Sequence, residues 1–352
     1  HQVEDISFAY TRKLLNGKIG IVFYDMTTIY FESSHPDELR MTGFSKDGKH
    51  QHPQIFLGLL VGRNGYPIGY DIFEGGIYEG HTLIPILEKF EKRFKFEKPI
   101  VVADAGLLSS NNISILTKRG YTFILGARIK NETNTIKKQI EEINFTDGYI
   151  TKLPKADNII LYVSYSNTRA GKDKANRERG LKRLEKSLNS GRLTKSNINN
   201  RGYNKYLKME GELSIQIDYD KFESDRKWDG LKGYLTNTKL DGKQVIDSYN
   251  NLWKIEKAFR ISKTDLKIRP IYHRLKERIE AHICISFVSY VLFKDLEQLL
   301  LLNTNVSINK AIKAINKMYE IIIPLPGERH RTIRLKNNAT QQQIIELIEK
   351  NY

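Results

Sequence analysis

The sequence predicts an α/β fold: a mixed sheet in which a three-strand meander continues into parallel strands, flanked by helices, interrupted by a basic insertion with β-strands and followed by C-terminal helices. Three observations carry that expectation. The first stretch alternates apolar, β-branched runs with Gly and Asn turn signals, the next alternates short apolar runs with helical spacing, and from about residue 131 the chain turns strongly basic before apolar helices resume. With 352 residues, 40% of them hydrophobic and 28% charged, the chain can build one elaborated domain or two.

After a short helical lead-in, residues 19–32 (IGIVFYDMTTIYFE), 54–62 (QIFLGLLVG) and 66–74 (YPIGYDIFE) read as the three strands of the meander. HTLIPILEKFEKRFK then places Leu83, Ile86, Leu87 and Phe90 at helical spacing, with His81 as a cap or surface residue. KPIVVADAGLLSS is a short buried strand ending at Asp104. NNISILTKRGY reads as a helix with an Asn cap and a stopping Gly, and TFILGARI as another buried strand. Strands joined through helices imply right-handed crossovers and parallel neighbours.

Residues 168–208 hold thirteen Lys or Arg against three acidic residues, between the strand-like pieces NIILYVSYS and GELSIQIDY. A solvated helix and a phosphate-facing surface are the two readings of that run. Trp228 reads as a packing residue. LKGYLTN restores strand character, and residues 241–269 read as one long helix stopped by Pro270. Residues 274–300 form a helix whose apolar second half is buried, with Cys284 in the core. An amphipathic helix at 306–320, a basic loop-like tail from about 325 and a short helix at 340–350 complete the chain. The expected divisions are a core at 1–130, a basic β-rich insertion at 131–228, the rest of the core at 229–300, and a helical and basic tail at 301–352.

No window approaches eighteen consecutive apolar residues, so no membrane span is expected. The single cysteine excludes a disulfide framework and suits a reducing compartment. A net charge of +16 favours a polyanionic partner, although codon bias alone also produces a chain rich in Lys, Asn and Ile. No nucleophile elbow, P-loop or Cys/His zinc spacing occurs.

Asp25 interrupts an apolar strand, and burying an unpartnered anion there would be very costly. Either the strand is open at that point, or a basic neighbour or a metal neutralises the charge. If the first and fourth strands are parallel neighbours, Asp25 and Asp104 converge at the strand ends, where α/β sites form. Two close carboxylates repel unless they share a divalent cation, and oxygen-only ligands point to magnesium or manganese. The helix after the insertion offers a third carboxylate. Tyr249, Leu252, Glu256 and Lys263 fall within about 60° of arc on an α-helix, so they share one face. An ordinary surface stripe with a solvated Glu256 is the competing reading.

These residues resemble the DDE transposases of bacterial insertion sequences, in the group marked by a Tyr, two residues, Arg, three residues, Glu, six residues, Lys signature. Tyr249, Glu256 and Lys263 keep that spacing, whereas Leu252 stands where the group has Arg. FYDMTTIYFE, GFSKDGKHQHPQIFLGLLV, VVADAGLLS and RPIYHRLKERIEAH resemble the same group, from about residue 19 to 300. The resemblance implies an RNase H-like core with Asp25, Asp104 and Glu256 as an acidic triad holding two Mg2+ or Mn2+ ions. It implies cleavage at element ends and strand transfer into target DNA by a dimer on double-stranded DNA, in the cytoplasm at the nucleoid. Tyr249 and Lys263 would contact DNA phosphate, with Lys254 and Arg260 adding charge. Lys46, Lys49, His50 and His52 are further DNA candidates, against the alternative of a solvated hairpin. By the same resemblance His273 and Arg274 either reach DNA or brace the Glu256 helix, with bracing the favoured reading. The chain begins at His1 rather than Met, so an amino-terminal DNA-binding module is expected to be missing. An inactive DNA-binding remnant or repressor is the alternative function, and a metal-independent glycosidase with paired carboxylates would leave the charge unexplained.

Overall fold

The computed structural model describes all residues except 1, 16, 33–34, 44, 46–47, 49, 95–96, 156–157, 201, 211–213 and 327–328. Helix α1 (Gln2–Leu14) leads to strand β1 (Ile21–Tyr30), and β2 (Gln54–Gly62) and β3 (Pro67–Glu74) follow across a turn in which Gly65 adopts φ +77°. Helix α2 (Leu83–Phe94) buries Leu83, Ile86, Leu87 and Phe90, the four positions its spacing predicts. Next come β4 (Ile100–Ala103), α3 (Ser110–Lys118) and β5 (Thr122–Ala127). The cap of α3 is Ser109 and not an Asn. Its side chain accepts from Asn112 N, which leaves the buried Asn112 side chain for other work.

The chain continues through α4 (Asn134–Glu141), β6 (Ile150–Pro154), β7 (Ile160–Tyr165), α5 (Asn167–Asn189), β8 (Leu207–Glu210), β9 (Ser214–Ile217), α6 (Tyr219–Ser224) and β10 (Leu231–Thr236). Eight strands form one sheet in the order β3-β2-β1-β4-β5-β10-β7-β6. β4 is parallel to β1 and β5 is parallel to β4, whereas β10 runs antiparallel to both β5 and β7. This is the mixed sheet the sequence predicts, and β3-β2-β1-β4-β5 has the RNase H-like strand order. Strands β6 and β7 extend that sheet. Beyond them, Leu184, Tyr206, Leu207, Ile217 and Phe222 close a separate small core around α5 and the β8-β9 pair. Trp228 is buried.

Downstream lie α7 (Gly242–Asn250), α8 (Trp253–Arg260), α9 (Lys276–Asn303), α10 (Ile308–Ile315), β11 (Glu320–Leu325), β12 (Arg329–Arg334) and α11 (Ala339–Asn351). The long helix expected over 241–269 is broken. Leu252 N bonds to Tyr249 O in a tighter turn between α7 and α8, and a π-helical segment spans Ile261–Asp265. The expected loop-like tail is an antiparallel hairpin, β11-β12, and the helix expected over 306–320 ends at Ile315. The second half of α9 is not wholly buried, for Leu292 and Leu301 are 62% and 71% exposed, and Cys284 is only half-buried. This helix of 28 residues carries apolar side chains around more of its circumference than its neighbours bury. Among the described residues no helix is long and apolar enough to cross a membrane.

The chain divides into two compact units, one of Ile19–Asp25 and Ile77–Trp253, the other of His1–Lys18, Met26–Gly76 and Lys254–Tyr352.

Candidate active site

In the first unit, the parallel pairing of β1 with β4 sets the site. The register ends with Tyr24 opposite Ala103, so Asp25 and Asp104 are the next residues on two adjacent strands about 4.8 Å apart. β4 stops at Ala103, whereas β1 continues to Tyr30. That difference in length explains the anion in an apolar strand. Tyr24 and Met26 are buried on either side, but Asp25 stands where its neighbour has ended and is only half-buried. Asp104 is exposed, and its Oδ1 accepts from Gly106 N at 2.6 Å, which fixes the carboxylate at the start of the turn.

A third carboxylate, absent from the sequence-based candidates, belongs to this place. A Cβ on Gly106 would lie 2.9 Å from Asp104 Oδ1 and 3.4 Å from Glu79 Oε2, so both oxygens stand around one small space that the glycine keeps clear. Glu79 opens a 3-10 turn, Glu79–His81, between β3 and α2. The only sequence signal was a carboxylate in the glycine-rich FEGGIYEGH, from which the sequence reading drew His81 alone.

Tyr249 of α7 reaches the same unit's strand ends. It is buried, rests edge-on against Tyr234 at 5.1 Å, and carries Lys232 Nζ 4.4 Å above its ring. A Cβ on Gly126 would collide with the Tyr249 hydroxyl and lie 3.0 Å from Ala105 N, so the phenol ends beside the residue that follows Asp104. Leu252 is buried.

The second unit holds Glu256, Lys254, Arg260 and Lys263. On α8, Ile255, Ala258 and Phe259 are buried, which leaves Glu256 and Arg260 exposed on the other side. Lys254 Nζ donates to Arg63 O at 2.6 Å in the turn before β3, and burial, helped by the nearby Arg63 and Lys294 charges, lowers its pKa. Lys257 donates to Glu297 Oε1 at 2.7 Å, Lys294 pairs with the same carboxylate, and the Tyr290 hydroxyl donates to Gly65 O at 2.9 Å. These bonds hold α8 against α9 and the β2-β3 turn. Lys263 lies in the π segment, half-buried, so the shared helical face computed for an unbroken α-helix does not describe residues 249–263. His273 packs edge-on against His282, which hydrogen-bonds Ile268 O at 3.0 Å, a bracing arrangement next to the π segment. His50 Nδ1 accepts from Ser45 N, and His52 contacts Phe31 O; Lys46 and Lys49 lie outside the described residues.

The sequence-predicted residues therefore gather in two sets, Asp25, Asp104 and Tyr249 in one unit and Glu256, Lys254, Arg260 and Lys263 in the other. Among the described residues no group of three or more His, Cys, Asp or Glu side chains is arranged to hold a metal ion. The carboxylate oxygens of Asp25 and Asp104, level on adjacent parallel strands, are nevertheless the donor type that a hard divalent cation takes.

Two solved structures are similar in part. The piggyBac transposase in its synaptic complex with hairpin DNA matches at 10% identity and a TM-score of 0.47, over 97% of this chain and 56% of that one. The Mos1 transposase in a paired-end complex with a left transposon end matches at 13% identity and a TM-score of 0.22, over 35% of this chain and 39% of that one. This chain thus spans little more than half the length of the piggyBac protein. No curated protein matches the sequence. Residues 16–292 match the family of the transposase DDE domain, and the chain belongs to that family.

Proposed function

We propose that the protein is a DNA transposase that cleaves element ends and joins them to target DNA, with Asp25, Asp104 and Glu256 as its acidic triad. The observation that carries this reading is the register of β1 and β4, which brings Asp25 and Asp104 level where β4 ends beside β1 in a chain of the DDE family. The spacing of Tyr249, Glu256 and Lys263 supports Glu256 as the third member. Bound to the triad, two Mg2+ or Mn2+ ions would activate the attacking water or 3′-hydroxyl and stabilise the leaving oxygen. The carboxylates hold and orient. Gly106 N–H keeps one Asp104 oxygen in place, and Tyr249 supports the loop after it.

Double-stranded DNA is the proposed partner, held by a dimer so that two ends are kept together, in the cytoplasm at the nucleoid. Arg260 and Lys263 are proposed to contact phosphate, with Lys254, Tyr249, Lys46 and Lys49 as further contacts. An intact set of acidic residues speaks against the remnant or repressor reading.

The test is strand cleavage on a duplex carrying the element's own ends. Nicking is expected with Mg2+ or Mn2+, none with excess EDTA, and recovery when Mg2+ is restored. DNA retardation with no metal-dependent nicking would instead select the repressor. Arg260→Ala and Lys263→Ala are each expected to weaken duplex binding equally across sequences and to reduce the salt slope, d log K/d log[salt], by about one. An unchanged slope in both variants removes these two residues from the DNA surface.

A further inference from the structure

We infer that the outer face of α5 is a phosphate-tracking surface for double-stranded DNA, made by Lys172, Arg179, Lys182, Arg183 and Lys186. This rests on the DNA reading above and adds to it a surface in the basic insertion. At 100° per residue the five cations fall within about 100° of arc, and Lys172, Arg179 and Lys186 repeat every seven positions. All five are exposed, and no carboxylate of the helix lies within that arc. The row runs about 21 Å, the length of about six base pairs of duplex.

Charge is sorted across this helix, and its inner side is neutralised within the protein. Arg177, 8% exposed, donates from Nη2 to Asp229 Oδ2 at 2.9 Å and lies over the Phe222 ring at 4.7 Å, while Leu184 joins the small core. Gly180 faces the Tyr203 ring so closely that a Cβ there would collide with it. The three carboxylates of α5 are all engaged. Asp173 accepts from Gly230 N at 3.1 Å, Glu178 lies 3.9 Å from Lys174, and Glu185 accepts from the Tyr219 hydroxyl at 3.2 Å. Among the described residues none of the five outer cations is in an ion pair. A face that is merely solvated interleaves both signs. This one sets like charges at the closest helical spacings, Arg179 with Lys182 and Arg183, and Lys186 with the same two, which destabilises the free helix. A row of phosphates reverses that effect, because each contact neutralises a cation and releases a condensed counterion. The docked inner side fixes the helix that carries the row before DNA arrives.

Duplex affinity of the full chain in EDTA, where metal-dependent cleavage is silent, tests this across a salt titration. Arg179→Gln, Arg183→Gln and Lys186→Gln combined are expected to weaken binding roughly tenfold or more at about 0.1 M salt. The slope d log K/d log[salt] should become shallower by about two to three, equally on end-bearing and unrelated duplexes. The charge-keeping counterpart, Arg179→Lys, Arg183→Lys and Lys186→Arg, should bind as the parent does. Gln is a good helix former and the like-charge pairs are gone, so the neutralised chain should melt at or above the parent's temperature at low salt. Lys310→Gln, Lys317→Gln and Lys336→Gln remove the same charge from exposed positions in the other unit, which gives the effect of net charge alone. If the α5 triple keeps the parent's affinity and slope, or loses no more than that control, the α5 surface is overturned while the DNA reading stands. A loss confined to one duplex sequence overturns it as well. If the parent chain binds no duplex, the DNA reading and the α5 surface fall together.

Discussion

Asp104→Asn is expected to lower metal-dependent nicking by roughly 10³-fold or more, a loss of about 4 kcal/mol of transition-state stabilisation. The substitution keeps the shape of the side chain and an oxygen able to accept from Gly106 N, so it removes charge and little else. Asp104 is exposed at the end of β4, and its loss should leave the melting temperature close to that of the parent. Asp25→Asn and Glu256→Gln should fall by similar factors. Pairing any two should add little, because residues that act as a unit lose their effect together. Initial nicking rates on an end-bearing duplex, with melting curves alongside, decide the matter. A residual rate within tenfold of the parent for all three would remove them from the chemistry.

The largest stability effect is expected at Glu297. Its carboxylate lies between Lys257 at 2.7 Å and the nearly buried Lys294. Removing it leaves Lys294 without its partner, and breaking a buried pair in this way costs about 3–5 kcal/mol. Burial alone would raise the Glu297 pKa. The hydrogen bonds from Lys257 and Lys294, with their charges, overcome it and hold the pKa below the ordinary 4.5. A carboxylate whose folded pKa is depressed stabilises the fold above the unfolded value and loses that contribution as pH falls through the folded one. Stability of the parent should therefore decline with acid below about pH 4.5 partly through this residue, whereas Glu297→Ala should show a lower plateau and a shallower decline. Denaturant titrations between pH 3 and 7 measure both. A parallel decline in the two proteins would mean that the clamp contributes nothing.

How far the sequence led depended on whether a residue's role is written locally. Asp25 was legible because a carboxylate in an apolar strand breaks the burial pattern, and the end of β4 supplies the reason. The parallel pairing of β1 with β4 was legible because short apolar runs separated by helices dictate parallel neighbours. Glu79 was not, because its nearness to Asp104 comes from Tyr24, Thr82 and Asn112 acting across long separations. Hydrophobic periodicity runs unbroken through Leu252 and Ile255, so it gave no sign of the tight turn that divides α7 from α8. The β11-β12 hairpin escaped because EIIIPL and RHRTIR lack the alternation by which half-buried strands are read, and β11 is exposed along its whole length.

The widened turn at Ile261–Asp265 has one more implication. It closes the helix that begins at Trp253, and the chain leaves helical conformation directly after Asp265. A π turn spends more residues on one rotation than an α-helix does, so Lys263 stands at a different angle to Glu256 than seven α-helical steps would give. The count of six residues between the motif's Glu and its Lys is therefore a matter of angle as well as distance, and a natural relative one residue shorter would have to aim its lysine from a different side of the coil.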